Sequence, residues 1–330
     1  MIISRTPHRI SFFGGGTDYQ DYYLKHGGKV LGATIDKYCY ITCRELPPFF
    51  NHTYRIVYSK VEMVNRIDEI QHPSVRETLR YLNIKNGLEI HHDGDIPARS
   101  GMGSSSAFTV GLLKTVYALE GKIISKEEIA KEAIHIEQEL IKEDVGSQDQ
   151  TFAAHGGFNL IEFSKSGDIS VVPVIVRPDR LKDLEKSLLL VFTGMSRMAS
   201  VAASDKIKNI PNNTDYLFKM KNLVDDAYKV ITSPSKNLYE FGELLNETWK
   251  LKKKLSNEVS TPEIDELYDI VINNGGVGGK LCGAGGGGFM LFFVEPENRT
   301  TVIAALKNYL YVPFKLDFEG TKIIVYNNHN

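Results

Sequence analysis

The stretch Ile96–Ala107, IPARSGMGSSSA, most constrains what this chain of 330 residues can fold into. The run before it, Leu88–His92, alternates like a strand. The apolar residues after the loop have helical spacing: Phe108, Leu112, Leu113, Val116 and Leu119. The pattern therefore predicts a loop between a strand and the N-terminus of a helix, Ser104–Leu119.

The residues of this loop suit the binding of an anion. Gly101 and Gly103 permit unusual dihedral angles, so the backbone can come close to a ligand. Ser104, Ser105 and Ser106 place hydroxyls and unpaired backbone N–H groups at the helix start, where the helix dipole is positive. One helix end stabilises an anion by only about 0.3–2 kcal/mol, so other charges must help. An ordinary helix with a serine cap after a glycine turn is the alternative that this loop alone leaves open.

Charge and composition exclude several function classes. The formal net charge of −2 creates no global field that would attract nucleic acid or an acidic membrane. No apolar run approaches membrane-spanning length, and Met1–Arg9 lacks the apolar segment of a signal peptide. The three cysteines, Cys39, Cys43 and Cys282, are odd in number and lack metal-site spacing, which is typical of a reducing compartment. We therefore expect a cytoplasmic protein that binds neither nucleic acid nor membrane.

The first half of the chain mixes strands and helices without a regular alternation, which favours an α+β fold over a doubly wound sheet. The predicted strands near its start are Ile2–Ser4, Ile10–Phe13, and the two arms of a hairpin about Asp36-Lys37, namely Lys29–Ile35 and Tyr38–Arg44. Ser125 opens a predicted helix that runs to about Ile141, and Glu128 stands in the capping-box position.

The second half has the pattern of a two-layer sandwich, with helices on one face of a sheet. Arg177–Lys186 is the predicted connection to it, and Leu188–Phe192 is its first buried strand. The remaining predicted elements, in chain order, are Thr214–Ile231, Asn237–Leu255, Pro262–Asn273, Phe289–Val294, Asn298–Tyr309, Pro313–Phe318 and Thr321–Tyr326.

A second glycine-rich loop, Gly283–Gly288, fits the pattern GxGxxG but has the wrong context for a dinucleotide site. Such a site follows a strand and opens a helix, whereas these glycines run into the apolar strand Phe289–Phe293. Ordering so many glycines costs roughly 0.5–1 kcal/mol each relative to Ala. Close packing against a ligand or another loop would explain this cost, and a flexible hairpin turn is the alternative.

Glu137 and Asp149 are the acids most suited to phosphoryl transfer. That chemistry needs a group that holds Mg²⁺ and a group that accepts the proton of the nucleophile. A carboxylate and a hydroxyl make a reasonable Mg²⁺ pair, because the ion takes few protein ligands and keeps several waters. Spacing alone leaves open a solvated surface charge at Glu137 and a helix cap at Asp149.

Three segments together resemble the motifs of one superfamily, the GHMP kinases, which includes galactokinase, homoserine kinase and mevalonate kinase. The segments are RTPHRISFFGGGTDY, IPARSGMGSSSA and KLCGAGGGGF, in the order and spacing of the superfamily. The resemblance implies a small-molecule kinase that uses ATP and Mg²⁺. It also implies an N-terminal ribosomal-protein-S5-like α+β domain at residues 1–180, a C-terminal ferredoxin-like domain at residues 181–330, and an active site in the cleft.

The resemblance implies a role for each matched residue of the phosphate site. The ATP phosphates would lie on Ser100, Gly101, Gly103, Ser104, Ser105 and Ser106. Of these, Ser105 would hold Mg²⁺ together with Glu137. Asp149 would be the general base, and the cationic Arg9 beside it would keep its carboxylate ionised.

The same motifs imply a sugar site. Asp18 matches the carboxylate that holds sugar hydroxyls, and Gly285 and Gly286 would line the sugar pocket while their loop braces the phosphate loop. Galactokinases have Glu-His where this chain has Gly15-Gly16. The form GGGTDYQDYY instead resembles the branch that phosphorylates the anomeric hydroxyl of D-glycero-D-manno-heptose 7-phosphate, which gives the 1,7-bisphosphate for nucleotide-activated heptose synthesis. Two glycines remove a carboxylate that would repel the substrate phosphate, and they make room for a seventh carbon.

A substrate phosphate needs a cation, and the candidates are Arg197 and Lys280. Arginine is well shaped for bidentate phosphate contacts, and the alternative is that both residues are ordinary surface cations. Two other functions stay open: a kinase for another sugar, such as fucose or another hexose, and a sensor that binds sugar and ATP without turnover. The resemblance also leaves a homodimer open.

Overall fold

The computed structural model describes residues 1–194 and 209–327, which form two sheets with flanking helices. The strands of the described part are β1 Ile2–Phe13, β2 Gly28–Glu45, β3 Tyr54–Val57, β4 Val61–Val64, β5 Leu88–Gly94, β6 Phe158–Phe163, β7 Ile169–Pro173, β8 Leu188–Phe192, β9 Gly276–Leu281, β10 Phe289–Val294, β11 Leu310–Val312, β12 Leu316–Asp317 and β13 Lys322–Tyr326. The helices are α1 Gln20–His26, α2 Pro73–Tyr81, α3 Ser104–Leu119, α4 Lys126–His135, α5 Gln148–His155, α6 Pro178–Ser187, α7 Thr214–Thr232, α8 Tyr239–Lys253, α9 Pro262–Asn273 and α10 Arg299–Ala305. A π-helical turn, Ile136–Ile141, continues α4.

The first sheet is organised around β1 and β2, which pair antiparallel over most of their length. Its strand order is β13-β1-β2-β5-β3-β4, with β12 and β6 also paired to β2, and β7 to β6. The predicted hairpin about Asp36-Lys37 is wrong, because β2 is a single strand of 18 residues. It bulges there instead, where the pairing register shifts between Pro7 and His8 of β1. Pro7 has no N–H for the ladder, and a bulge lets such a residue stay within a continuous strand.

The second sheet has the strand order β11-β8-β10-β9 and is antiparallel throughout. Numbered along the chain, its strands lie in the order 4-1-3-2, the arrangement of a ferredoxin-like fold. Every residue of β10 is buried. Its alternate residues pack into two different cores, one on each face of the sheet, because side chains alternate along a strand.

The end of the chain returns to the first sheet. β13 pairs with β1 and β12 pairs with β2, both antiparallel. The sequence predicts strands in this region but assigns all of residues 181–330 to the second domain, whereas the pairing places the final strands with the first. β13 covers the outer edge of β1, whose N–H and C=O groups would otherwise be unpaired. For the rest of the chain, the division at residue 180 stays a prediction.

An aromatic contact joins the first sheet to helix α8. Phe12 and Phe13, at the end of β1, pack edge-on against Phe241 of α8, with ring centroids 5.6 and 5.0 Å away. Phe12 also meets Phe158 of β6 at 5.7 Å. Aromatic pairs of this kind contribute about 0.5–1.5 kcal/mol each beyond the area that they bury. The end of β1, which leads into the first glycine motif, is therefore fixed between the two halves of the molecule.

The structure confirms the helix predicted after the serine-rich loop. α3 begins at Ser104 and ends at Leu119. The capping box is also confirmed, because Ser125 and Glu128 each accept a hydrogen bond from the other's backbone N–H at 3.1 Å. α4 then passes into the π-helical turn, which contains Glu137. Across the described ranges, the helices are too short or too polar to span a bilayer.

The packing of the final segment against α5 predicts the effect of one added methyl group. Gly156, with a φ of +69°, lies so close to this segment that a Cβ would be 2.0 Å from the Gly320 nitrogen. Gly121 has nearly the same φ, +68°, but nothing lies within 4 Å of its Cβ position. An alanine is disfavoured by the positive φ at either position, but Gly156→Ala meets two further penalties. Its ψ of 172° lies in a region that is essentially restricted to glycine, and its Cβ clashes with backbone.

We expect Gly156→Ala to lower the free energy of unfolding by about 1–3 kcal/mol more than Gly121→Ala does, because overpacking against backbone cannot relax easily. Urea titration of the two variants and wild type measures the difference. Equal losses in the two variants would contradict the close packing and the restricted backbone geometry at Gly156.

Candidate active site

Arg9 lies at the centre of the candidate site. It shares a face of β1 with Ser11, because side chains two residues apart on a strand point the same way. Only 5% of the Arg9 side chain is exposed. Its Nε and Nη2 donate to Oδ1 and Oδ2 of Asp149 at 2.7 and 2.6 Å. Its Nη1 donates to the Gly101 carbonyl at 2.8 Å, so one side chain ties β1 to α5 and to the serine-rich loop.

Asp149 is an oriented and partly open carboxylate. It lies in the first turn of α5, and 25% of its side chain is exposed. The bidentate contact with Arg9 fixes the plane of the carboxylate. Burial lowers the pKa of Arg9, but the charge and hydrogen bonds of Asp149 outweigh burial and raise that pKa overall. The carboxylate is therefore held in one orientation and is accessible from one side, as a group that meets a substrate must be.

The N-terminus of α3 lies next to this pair. Gly103, the residue before the helix, has a φ of +72°. A Cβ on Gly103 would be 3.3 Å from Cγ of Arg9 and 3.5 Å from Oδ2 of Asp149. The Ser104 hydroxyl accepts from the Arg99 N–H at 3.1 Å, which closes the loop on itself. The first N–H groups of α3, which have no partner within the helix, therefore lie close to the Asp149 carboxylate.

The second glycine loop packs backbone to backbone against the serine-rich loop. A Cβ on Gly283 would lie 2.4 Å from the Gly101 Cα. A Cβ on Gly288 would lie 2.1 Å from the Ser100 carbonyl oxygen. No larger residue fits at either position without moving backbone, so the alternative of a flexible hairpin turn is excluded here. The two loops form one packed unit.

A buried lysine holds the start of this second loop. The Lys252 ammonium donates to the carbonyls of Leu281 and Gly283, at 2.6 Å each. Further along, the Gly286 N–H donates to the Val259 carbonyl at 3.2 Å. The contact of Gly285 and Gly286 with a sugar stays a prediction.

Glu137 is fully buried in the π-helical turn, which excludes a solvated surface charge. Its Oε2 accepts from the Ser106 hydroxyl at 2.8 Å and from the Gln150 amide at 2.5 Å. Burial raises the pKa of Glu137 to about 7, although the neighbouring Thr109 hydroxyl and the hydrogen bonds from Ser106 and Gln150 lower it. Its other oxygen, Oε1, has no hydrogen-bond partner within residues 1–194 and 209–327.

These atoms fit a magnesium ion. A buried carboxylate oxygen without a partner is unfavourable unless a cation or a proton satisfies it. Mg²⁺ is usually held by one or two carboxylates together with substrate phosphates and waters. The hydroxyl that donates a hydrogen bond to Glu137 belongs to Ser106. Ser105 is exposed, and its hydroxyl interacts with Glu143. The assignment of Ser105 as a metal ligand therefore stays a prediction, and Ser106 joins it as a candidate.

Asp18 is buried near Asp149, with 2% exposed. Its Oδ1 accepts from the Gly16 N–H at 2.8 Å. Its Oδ2 lies against Gly146, where a Cβ would be 1.9 Å away. Burial and the charge of Asp149 raise the pKa of Asp18. The two carboxylates thus share one site, and the contact of Asp18 with sugar hydroxyls stays a prediction.

The three glycines of the GGGTD motif differ in backbone conformation and in surroundings. Gly14 and Gly16 have left-handed φ values, +81° and +108°, which favour glycine. Gly15 is outside this region. A Cβ on Gly15 would be 3.4 Å from the Ser11 hydroxyl and 3.7 Å from the Gln148 amide nitrogen, which is ordinary contact. Backbone geometry therefore explains Gly14 and Gly16 but not Gly15.

Lys280 is buried, with 3% exposed, so the alternative of a surface cation is excluded for it. Its ammonium donates to the carbonyls of Ser11 and Phe12, at 2.5 and 3.1 Å, and ties β9 to β1. Burial lowers the pKa of Lys280 to about 8. In the described part of the chain, these bonds leave one N–H of the ammonium for another ligand. Arg197, the other candidate for the substrate phosphate, lies outside the described residues.

Some polar groups of the site were missed by reasoning from the sequence. They are the hydroxyl of Ser11 and the side chains of Gln148 and Gln150. Ser106 was expected at the ATP phosphates, but its hydrogen bond to Glu137 was not. The alternation of side chains along a strand could have indicated Ser11, because it follows Arg9 by two residues and therefore shares its face. No local pattern marks the two glutamines, because their place depends on how the chain turns back between the π-helical turn and α5.

The assembled groups suit phosphoryl transfer. The start of α3 can hold a polyanion, Glu137 offers oxygen to a divalent cation, and Asp149 offers an oriented proton acceptor. Phosphoryl transfer depends mainly on positioning and on stabilising charge. A phosphoryl group on the α3 start and a hydroxyl beside Asp149 would be neighbours.

Known proteins with similar sequences and structures belong to one family. Residues 69–157 match the GHMP kinases N terminal domain, and residues 227–312 match the GHMP kinases C terminal family. A D-glycero-alpha-D-manno-heptose 7-phosphate kinase from Campylobacter jejuni is 33% identical over 97% of this chain and 98% of its own. An L-fucokinase/L-fucose-1-P guanylyltransferase from Bacteroides fragilis is 26% identical over 92% of this chain and 35% of its own. The crystal structure of a D-glycero-D-manno-heptose 1-phosphate kinase from Bacteroides thetaiotaomicron superposes with a TM-score of 0.80 at 26% identity, covering 99% of this chain and 100% of its own.

The buried ammonium of Lys280 predicts how stability changes with pH. Burial lowers the pKa of Lys280 from 10.5 to about 8 in the folded protein. Between these values the unfolded state binds more protons than the folded state, so this group makes stability rise with pH. From about pH 7.5 to about pH 9.5, we expect wild type to gain about 1–2 kcal/mol of stability relative to Lys280→Met.

Urea titrations at the two pH values measure this gain. Lys250→Met, at an exposed position of α8, is the matched control and should show no such gain relative to wild type. If the difference in unfolding free energy between wild type and Lys280→Met stayed constant with pH, the ammonium of Lys280 would not be buried away from water.

Proposed function

The chain belongs to the GHMP kinase family and is a small-molecule kinase, and we propose that it transfers the γ-phosphoryl group of ATP to the anomeric hydroxyl of D-glycero-D-manno-heptose 7-phosphate. The Asp149 carboxylate carries this proposal, because Arg9 holds it beside the start of α3. A kinase must bring an acceptor oxygen and a phosphorus into contact. Asp149 and the helix start offer a place for each.

The serine-rich loop is the proposed site of the ATP phosphates. A triphosphate carries more charge than one helix end can balance. Arg9 is already paired with Asp149, so its charge does not supply the balance. Glu137, with Ser105 or Ser106, would hold Mg²⁺, and the bound ion would neutralise charge that develops on the β- and γ-phosphate oxygens.

Asp149 is proposed to orient the anomeric hydroxyl and to accept its proton. Arg9 keeps the carboxylate in one plane, so that one of its oxygens would face the anomeric hydroxyl of a bound sugar. Transition states of phosphoryl transfer are loose, and positioning therefore matters more than the strength of the base. The product would carry phosphates at positions 1 and 7.

Two relatives support a phosphorylated heptose as acceptor. The Campylobacter jejuni protein is named for a heptose that carries its phosphate at position 7, and the Bacteroides thetaiotaomicron protein for one that carries it at position 1. We propose that Gly15 and Gly16, which present no side chains beside Asp18, help to admit a longer sugar. The phosphate at the far end of the substrate needs a cation. We retain Arg197 and the remaining N–H of Lys280 as candidates for that contact.

A kinase for fucose is the second candidate, favoured by the fucokinase match over 92% of this chain. The two candidates differ in whether the acceptor carries a phosphate. The experiment offers ATP and Mg²⁺ with heptose 7-phosphate, the same heptose without phosphate, fucose and galactose, and measures ADP release. We expect turnover that depends on the terminal phosphate, and NMR of the product should place the new phosphate on the anomeric carbon. Faster turnover of fucose would favour the second candidate.

Asp149→Asn is the direct test of the proposed base. The substitution keeps the size of the side chain and removes the proton acceptor, so we expect kcat to fall by about 10²–10⁴-fold. ATP affinity, measured by calorimetry, should stay within about threefold, because the phosphate loop is unchanged. Asp168→Asn, at an exposed carboxylate in the turn between β6 and β7, is the matched control and should keep wild-type turnover. Turnover close to wild type in Asp149→Asn would remove this residue from the role.

A further inference from the structure

Two residues beside Gly15 each carry a buried polar atom without a partner in the described part of the chain. The atoms are the Ser11 hydroxyl oxygen and Oε1 of Gln148, and neither has a hydrogen-bond partner among the described residues. The two residues are 6% and 8% exposed. A buried donor or acceptor without a partner destabilises a fold by about 1–3 kcal/mol. Such groups call for an explanation, and a ligand that satisfies them when it binds is one.

Both side chains lie within the site already described. Ser11 shares its face of β1 with Arg9. Gln148 directly precedes Asp149, and its side chain interacts with Asp18. Both residues are therefore next to groups of the site, Ser11 to Arg9 along β1 and Gln148 to Asp149 and Asp18.

Gly15 lies beside the Ser11 hydroxyl and the Gln148 side-chain amide. Its Cβ position would be 3.4 Å from the Ser11 hydroxyl and 3.7 Å from the Gln148 amide nitrogen, and its φ is outside the left-handed region. The backbone would thus accept another residue, and the space would accept a methyl group. A longer side chain at position 15 would cover both polar groups. A glycine here is explained by access to them, whereas Gly14 and Gly16 are explained by their backbone angles.

The backbone of Ser11 is fixed by contacts with Lys280 and with β2. Its carbonyl accepts from the buried Lys280 ammonium at 2.5 Å. Its strand partner across β2 is Gly32, where a Cβ would be 2.8 Å from the Phe152 ring. A binding group set on a strand that is fixed on both sides is well suited to discriminate between ligands.

We propose that Ser11 and Gln148 bind hydroxyl groups of the sugar, and that Gly15 lacks a side chain so that the sugar can reach them. This inference rests on the proposed function of the site as that of a sugar kinase. A sugar hydroxyl can donate to Oε1 of Gln148 and can exchange a hydrogen bond with the Ser11 hydroxyl. A carboxylate such as Asp18 can only accept when ionised, so the three groups together recognise a pattern of hydroxyls.

The first test measures sugar affinity and stability in the same variants. Calorimetric titration with heptose 7-phosphate should give a Kd about tenfold higher in Ser11→Ala and in Gln148→Met than in wild type, with ATP affinity within about twofold. Ser11→Ala should not lower the thermal midpoint, because it removes no hydrogen bond of the free protein. Ser4→Ala is the matched control on the same strand, since the Ser4 hydroxyl donates to the Gly111 carbonyl at 3.0 Å. It should lose stability and keep the sugar Kd.

The second test varies position 15 alone. Gly15→Ala should change the sugar Kd by less than about threefold, and Gly15→Leu should raise it by at least about tenfold, because only the longer chain covers Ser11 and Gln148. Both should unfold within a few degrees of wild type. Gly16→Ala is the control for backbone strain, since its φ is +108°, and it should lose stability.

Binding tests this inference, and turnover tests the proposed function, so that one can fail without the other. Unchanged sugar Kd values in Ser11→Ala and Gln148→Met would overturn the hydroxyl-binding pair, even if wild type phosphorylates heptose 7-phosphate rapidly. Absence of heptose 7-phosphate binding to wild type would overturn it as well. Wild type that binds this sugar through Ser11 but releases no ADP would support the pair and contradict the proposed reaction.

Discussion

The geometry of the site depends on the buried guanidinium of Arg9. It donates to both oxygens of Asp149 and to the Gly101 carbonyl, so three separate segments are placed by one charged group. Breaking a buried ion pair by removing one partner typically costs about 3–5 kcal/mol, because the other charge is left uncompensated. Separating these segments would therefore cause a large loss of stability. Phosphoryl transfer gains from such rigidity, because a misplacement of about 1 Å can cost as much as 100-fold in rate.

Two further buried cations extend this arrangement across the two sheets. Lys280 joins β9 to the carbonyls of Ser11 and Phe12, and Lys252 joins α8 to the start of the second glycine loop. The glycines of that loop then pack directly on the serine-rich loop. Because Lys280 also fixes the backbone of Ser11, the same contact that unites the two halves holds a proposed sugar-binding group. Stability and recognition thus share one set of contacts.

Local signals in the sequence predicted local structure well. The bounds of α3 and the capping box of Ser125 depend on residues within a few positions of each other, and both predictions are confirmed. Long-range pairing was not predictable in this way. The bulge at Asp36-Lys37 follows from pairing with Pro7 on another strand, and the final strands join the first sheet because β1 offers an open edge. The motifs marked Arg9 and Asp149, but burial of Lys280 depends on packing that no local pattern contains.

The central claim is spatial: the start of α3 and the Asp149 carboxylate place a phosphate donor and a sugar hydroxyl side by side. A crystal structure of the protein with a non-hydrolysable ATP analogue, Mg²⁺ and heptose 7-phosphate tests this claim most directly. We expect the γ-phosphate at the N–H groups of Ser104–Ser106, and the anomeric oxygen within hydrogen-bonding distance of Asp149. A sugar bound with its anomeric oxygen away from Asp149, or a triphosphate bound away from α3, would contradict the account.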